Sequence, residues 1–462
     1  MYTSIFPPSF SSWKGPKGYS YRPHKGVALL IGLFVCIWTS AGQTPLSLPD
    51  AVTIALANNP ELAVLGYDKQ ISENNIDPAL VGLQPRIDIQ SQLLLGYGDT
   101  RTETVNLGPP GSENPPIELN GLRRGIIIQP EASWLVLDGG QAKARLEQLR
   151  LVDQATADRL TLARDETTVA VIRTYLAASS LVDQLQLAAD NIDLSNDRLS
   201  RIERAGEYGT ANSLARLQSQ VDLRTDSVAF QQLNLQLANI KRDLNFLLGR
   251  DPETEFSLVP LSSSMEVLSY NDLEADLRKS NSGLAAARTR ILLQENELDQ
   301  ALRAGRPVLS LYANANYLNQ QDDANFLLEN RNFGAEAGLR FSYNIFDAGA
   351  RQTQQQNARI QVEQAAKRYE QTELQLITLL RQAYASYENS LFLLETERRN
   401  LPTFQLNFDK TQEDYRLGQV DATQLRNAQV NLNAAKTRIA LRELEVRTAV
   451  AELRLLAGNL VE

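Results

Sequence analysis

Residues 333 to 346 alternate. Phe333, Ala335, Ala337, Leu339, Phe341, Tyr343 and Ile345 fall on one parity, and Glu336, Gly338, Arg340, Ser342 and Asn344 on the other. A period of two gives a strand with one apolar and one polar face. Asp347-Ala348-Gly349 ends the alternation. From Ile377 the apolar residues recur at Leu380, Tyr384, Tyr387, Leu391 and Leu394, in steps of three and four. That spacing is the packed seam of a helix. This junction constrains the fold more than any other feature, because a strand with one greasy face feeds a helix, about 350 to 416, that is too long for a compact domain.

The junction occurs twice. Trp134-Leu135-Val136-Leu137-Asp138-Gly139-Gly140 aligns with Tyr343-Asn344-Ile345-Phe346-Asp347-Ala348-Gly349 at a shift of 209 residues. The same shift pairs Gly209 with Gly418, Gln220-Val221 with Gln429-Val430, Leu223 with Leu432, and Gly249 with Gly458. Upstream, Asn59-Pro60-Glu61-Leu62 aligns with Asn281-Ser282-Gly283-Leu284 at a shift of 222. The pattern is an internal duplication whose halves differ in one loop.

Each half reads helix, strand, loop, strand, long helix, tight turn, long helix. The expected first repeat is 42–249, the linker 250–270 and the second repeat 271–462. Helices are expected over 48–57 and 60–82, strands over 86–97 and 122–137, and an exposed loop over 98–121 around Gly108-Pro109-Pro110-Gly111. The first hairpin spans 141–248; its outgoing helix, 141–204, is roughly 95 Å long at 1.5 Å per residue. The second half places strands at 308–318 and 333–346 and a hairpin at 350–457. Pro402 is expected to kink or locally break the outgoing helix.

Composition removes most chemistry. His24 and Cys36, the only histidine and cysteine, precede residue 41. Residues 27 to 38 are an apolar run behind Arg22 and Lys25, and Thr39-Ser40-Ala41 offers small residues for cleavage, so 1–41 reads as a secretory signal. Leu33-Phe34-Val35-Cys36 has the outline of a lipid-attachment site, but Val35 is bulky and Cys36 lies inside the apolar run. The mature chain then has no His base, no Cys nucleophile and no His- or Cys-bound zinc. No metal, cofactor or catalytic residue is expected, and no paired acids sit in a context that suits a hydrolase. Net charge is -9, or -13 once Lys14, Lys17, Arg22 and Lys25 leave with the leader. An acidic chain without clustered cations is a poor partner for nucleic acid.

After residue 41 no apolar stretch is long enough for a membrane helix. The strands suit an outer-membrane barrel, with Tyr97, Trp134, Tyr317 and Tyr343 near their ends. A half-buried soluble sheet fits the same alternation. The leader, and the lack of a second apolar surface to cover such a sheet, favour the membrane. Four strands cannot close a barrel, and open edges are not tolerated in lipid, so several chains would have to pool their strands. Gln129, Glu131, Ser133, Glu336, Arg340 and Asn344 would then face a wet lumen. A secreted coiled-coil protein without a channel is the competing reading; it explains the helical seams but not the four alternating strands.

In their order and spacing, Ala57-Asn58-Asn59-Pro60-Glu61-Leu62, the strand ends 134–139 and 343–349, Tyr415 with Gly418, and Leu247-Leu248-Gly249 resemble the TolC family of outer-membrane efflux proteins. The resemblance spans nearly all of the mature chain. It implies an α+β, mainly helical fold of long antiparallel coiled-coil hairpins, with four strands per chain. It further implies a homotrimer with a 12-stranded outer-membrane β-barrel and a 12-helix periplasmic tunnel. The implied role is a passive exit duct for tripartite efflux or type I secretion. Its partners would be outer-membrane lipid, a periplasmic membrane-fusion adaptor and an inner-membrane transporter of RND or ABC type. Functional residues would lie at constrictions and docking tips. Gly209, Thr210, Asn212, Gly418, Gln419 and Asp421 are the candidates for adaptor docking, and Tyr415, Arg216 and Arg426 for an entrance constriction. Family members carry a basic residue two after the tip glycine, where this chain has Val420, so the entrance is expected to close differently. Asp421, Arg216 and Arg426 could support a different network there, or be solvated surface.

Overall fold

The computed structural model describes residues 44–103, 109, 115–207, 213–261 and 267–460. The leader, Cys36, and the tip residues Gly209, Thr210 and Asn212 lie outside the described residues. In chain order the elements are β1 (Thr44–Leu46), α1 (Leu48–Asn58), α2 (Pro60–Asn74), β2 (Arg86–Thr102), β3 (Ile117–Leu137), α3 (Gln141–Glu207) and α4 (Ser213–Leu247). There follow β4 (Phe256–Leu258), α5 (Tyr270–Ser280), α6 (Ser282–Arg303), β5 (Val308–Asp322), β6 (Glu329–Ser342), α7 (Ala350–Arg416) and α8 (Ala422–Ala457).

Several boundaries differ from the sequence reading, each for a physical reason. β2 and β3 run past 97 and start before 122, because backbone pairing continues from Tyr97↔Leu122 to Thr102↔Ile117 among polar residues that carry no period. β5 extends to Asp322 and β6 begins at Glu329 for the same reason. β6 stops at Ser342 rather than 346, because its partner β5 starts at Val308. α2 ends at Asn74 rather than 82. The 250–270 stretch is not plain linker, since β4 pairs in parallel with β1. Pro402 lies inside α7 without ending it.

Four strands form one antiparallel sheet in the order β2-β3-β5-β6. Its outer strands, β2 and β6, each keep one edge without a strand partner among the described residues. The helices form two antiparallel hairpins, α3 with α4 and α7 with α8, joined through α5 and α6. α3 and α7 are 67 residues each, about 100 Å long. No described helix packs over the face that carries Leu93 and Phe333, which are 81% and 73% accessible.

One set of contacts holds each hairpin root, and it occurs twice. Asn59 accepts the Glu61 N–H at 2.9 Å, capping α2, and its amide donates to the Leu247 carbonyl at 3.0 Å. Asn281 accepts the Leu284 N–H at 3.0 Å, capping α6, and donates to the Leu456 carbonyl at 2.9 Å. The Tyr175 hydroxyl lies 2.9 Å from the Leu46 carbonyl, and the Tyr384 hydroxyl 3.2 Å from that of Leu268. Each tyrosine sits in an apolar cluster, with Ala51, Val171, Leu244, Leu248 and Phe256 in one half and Leu277, Leu380, Val446 and Leu453 in the other. At the strand-to-helix junctions Asp138 accepts the N–H groups of Gly140 and Ala142, and Asp347 those of Gly349 and Arg351.

The return helices stop at Gly249 and Gly458, at φ +65° and +77°. A Cβ there would collide with the carbonyl oxygens of Asn58 and Ser280 respectively. Replacing either glycine with alanine should cost about 1–3 kcal/mol, from left-handed strain plus that collision. Gly66 lies inside α2, and a Cβ added there would meet nothing within 4 Å. Gly66→Ala should be neutral or stabilising by up to about 1 kcal/mol. Thermal loss of helical circular dichroism in detergent compares the three variants.

Candidate functional site

Two places in the fold gather functional chemistry: the sheet, and the free end of the helical hairpins. The sheet sorts its side chains by face across all four strands. On one face Ile87, Ala132, Ala313 and Ala337 form a cross-strand row. Ser91, Ile128, Tyr317 and Phe333 form another, and Trp134, Leu311 and Leu339 a third. The opposite face carries Asp88, Glu131, Asn314 and Glu336 in one row. There the Gln129 amide donates to Asn316 at 3.1 Å, and the Asn314 amide donates to Glu336 at 3.0 Å. The Arg340 guanidinium lies 5.1 Å from the centre of the Tyr312 ring. Gln129, Glu131, Glu336 and Arg340 therefore share one polar face. Asn344 does not join them, because it lies past the end of β6; its carbonyl accepts from Arg351 at 3.3 Å.

On β2 the apolar face runs from Ile87 to Tyr97. Ten residue steps are about 33 Å along a strand. Tilted by roughly 40°, that height is close to the ~25 Å apolar band of an outer-membrane barrel. No described helix is long and apolar enough to cross a membrane.

At the other end of the molecule α7 turns into α8 through Gly418, at φ +75°. The Gln419 N–H returns to the Asp414 carbonyl at 2.8 Å. Asp421 caps α8: its carboxylate accepts the Gln424 N–H at 2.8 Å, while the Gln424 side chain accepts the Asp421 N–H at 3.2 Å. Tyr415 is half-buried against the cluster of Phe408, Leu425, Ala428 and Leu432, which also takes in Leu194 from α3.

Arg426 and Arg216, grouped by the sequence, have opposite surroundings. Arg216 is exposed. Arg426 is not solvated surface: it forks onto Asp226 of α4, at 2.8 and 2.7 Å, with only 18% of its side chain accessible. Ser195 of α3 holds the same carboxylate at 2.5 Å. Arg198, 4% accessible, pairs with Asp222 at 3.2 Å and donates to Ser195 at 3.2 Å and to Gln429 at 3.4 Å. Gln429 and Asn433 of α8 both donate to Asn191 of α3. Two arginines and two aspartates thus tie α3, α4 and α8 together, about one turn into α8. Burial pushes the Arg198 pKa down, against the pull of Asp222, while hydrogen bonding to Asp226 raises that of Arg426. Only Arg426 of this cluster was singled out from sequence. Ser195, a polar residue inside the apolar seam of α3, was the available signal for the rest.

Removing one partner from a buried charge pair leaves the other uncompensated, at a cost of about 3–5 kcal/mol. Arg426→Ala should loosen α8 near the tip and speed amide exchange over 422–432, while Arg216→Ala should leave exchange there unchanged. Hydrogen-exchange mass spectrometry makes the comparison.

Residues 274–459 match the family model described as outer membrane efflux protein. Protein CyaE of Bordetella pertussis is 22% identical over 419 residues, covering 90% of this chain and 84% of that protein. Among solved structures, the Campylobacter jejuni CmeC outer membrane channel superposes with a TM-score of 0.70 at 14% identity, covering 90% of this chain and 86% of that one. CusC, solved in a study of folding and transmembrane channel formation, gives a TM-score of 0.69 at 18% identity, with 89% and 92% covered. The second half thus matches the outer membrane efflux protein family, and the chain as a whole shares the fold of these outer-membrane channels.

Proposed function

We propose that three copies of this chain form a passive exit duct through the outer membrane, continued into the periplasm by their helical hairpins. The observation that carries the reading is the uncovered sheet. It has an apolar face, a polar face and two edges without a strand partner among the described residues, and no described helix packs over the apolar face. In water the apolar face would be exposed, and in lipid the edges would leave backbone groups unsatisfied. A barrel assembled from several copies removes both costs, with Gln129, Glu131, Glu336 and Arg340 wetting its lumen. Asn344, beyond β6, lines the mouth below it.

The duct is a conduit rather than a catalyst, consistent with a family of channel proteins. In this reading the hairpin ends receive a periplasmic membrane-fusion adaptor, backed by an inner-membrane transporter of RND or ABC type. Gly209, Thr210, Asn212, Gly418, Gln419 and Asp421 are the docking positions. Tyr415 and Arg426 narrow the entrance together with Arg216, and the ion pair to Asp226 takes the place of the basic residue that Val420 displaces. A secreted coiled coil without a channel is disfavoured by the four-stranded sheet, which such a protein has no use for.

Leu339 and Phe341 point to the apolar face and Ser342 to the polar one. An arginine at either apolar site should impair membrane assembly by about 2–4 kcal/mol if the site lies near mid-bilayer, while Ser342→Arg should be tolerated. The readout is heat-modifiable trimer extracted from the outer membrane. Equal tolerance at both parities, or a parent protein recovered as a water-soluble monomer, would contradict the duct. Crosslinkers at Thr210 and Gln419 should capture the adaptor.

A further inference from the structure

β6 stops at Ser342, yet its alternation continues through Tyr343, Asn344, Ile345 and Phe346. Ile345 and Phe346 are 85% and 83% accessible. At the far edge of the sheet β2 starts at Arg86, with Ile87 and Ile89 likewise exposed. Two edge stretches with apolar side chains thus have no strand partner on their outer side among the described residues. All neighbours in the sheet are antiparallel, so β2 and β5 run one way and β3 and β6 the other. A second β2 placed beside β6 continues the alternation of direction.

The apolar face also carries register information, because it is not level across the strands. Its upper limit is Tyr97 on β2 but Phe333 on β6. Phe333 shares a row with Tyr317, Ile128 and Ser91, so the limit falls by six residues over three strand steps. The lower limit falls in the same sense: Ala337 shares the row of Ile87, and the apolar parity runs on to Phe341 and Ile345. A membrane boundary is level, so this slant records strand tilt, and closing a barrel requires such a stagger. One more step of two residues sets the height of the strand beside β6.

We propose that β6 pairs with β2 of a second copy in one register. Ile345 lies opposite Ile87 of the partner subunit, Tyr343 opposite Ile89 of the partner subunit, and Ala335 opposite Tyr97 of the partner subunit. Residues 343–346 become strand only in the assembly. The proposal rests on the multi-copy reading above and adds to it the contact surface and its register.

Directly opposite residues have Cβ atoms about 4.5–5.5 Å apart, and neighbours displaced by two are about 7–8 Å apart. A disulfide needs roughly 3.5–4.5 Å between Cβ atoms, so it reports register after a small adjustment. Cys36 is the only cysteine and precedes the expected cleavage site, which leaves the mature chain without a competing thiol. The full chain is expressed as three double variants: Tyr343→Cys with Ile89→Cys, Phe341→Cys with Ile89→Cys, and Ile345→Cys with Ile89→Cys. Oxidised outer membranes are run boiled without reductant, to read covalent links, and unboiled, to read the oligomer itself. The expected result is a covalent ladder from the Tyr343 pair at least fivefold stronger than from either displaced pair. A ladder strongest in a displaced pair, or none at all while the unboiled oligomer persists, overturns the register and leaves the multi-copy duct standing. Absence of the unboiled oligomer in the parent protein would remove the duct reading and this proposal with it.

Discussion

The structure turns on two sheet edges, the outer ones of β2 and β6, whose backbone N–H and C=O groups have no strand partner among the described residues. In hydrocarbon each such group costs several kcal/mol, so an open edge in a membrane is untenable. The apolar rows built on Ile87, Ser91 and Leu311 make water equally unsuitable for that face. The sheet suits an apolar solvent on one side, water on the other and a neighbour at each edge. A barrel wall supplies all three, and the solved structures that share this fold are outer-membrane channels.

Below the wall the problem reverses. Helices of about 100 Å need fixed points. The duplicated roots provide them. An asparagine caps one helix while gripping the last carbonyls of another, a tyrosine hydroxyl reaches back to the entering chain, and a left-handed glycine lets the return helix approach. Because both halves use the same set, the two hairpins leave the wall in equivalent ways. Near the far end the polar tie of Arg198, Asp222, Asp226 and Arg426 joins α3 and α4 to α8. Charge pairs of this kind confer geometry more than net stability.

The face of each strand was legible in the sequence, because a period of two is written in the side chains themselves. The ends of the strands were not. Asp99, Thr100 and Arg101 pair with Asn120, Leu119 and Glu118 in the ladder, but their side chains carry no alternation of apolar and polar. Residues 343–346 alternate yet are not strand in the single chain, since a strand is defined by its partner. Asn344 left the polar face for that reason. The hairpin turn at Gly418 could be read from one glycine, but the tie behind it could not. Arg198, Asp222 and Asp226 look like ordinary solvated charges until three helices converge on them. For Arg426 the sequence left a constriction and a solvated surface both open, and packing against α4 shows that it is not surface.

Site-directed spin labels placed one at a time from Phe333 to Phe341, in protein reconstituted into lipid bilayers, test the solvent assignment most directly. Oxygen partitions into hydrocarbon and a charged nickel complex into water, so relative collision rates report which medium each label meets. The account predicts a strict two-residue period, with odd positions meeting oxygen and even positions meeting nickel. Uniform nickel accessibility at both parities would mean that the greasy face never enters a membrane, and the barrel would have to be abandoned.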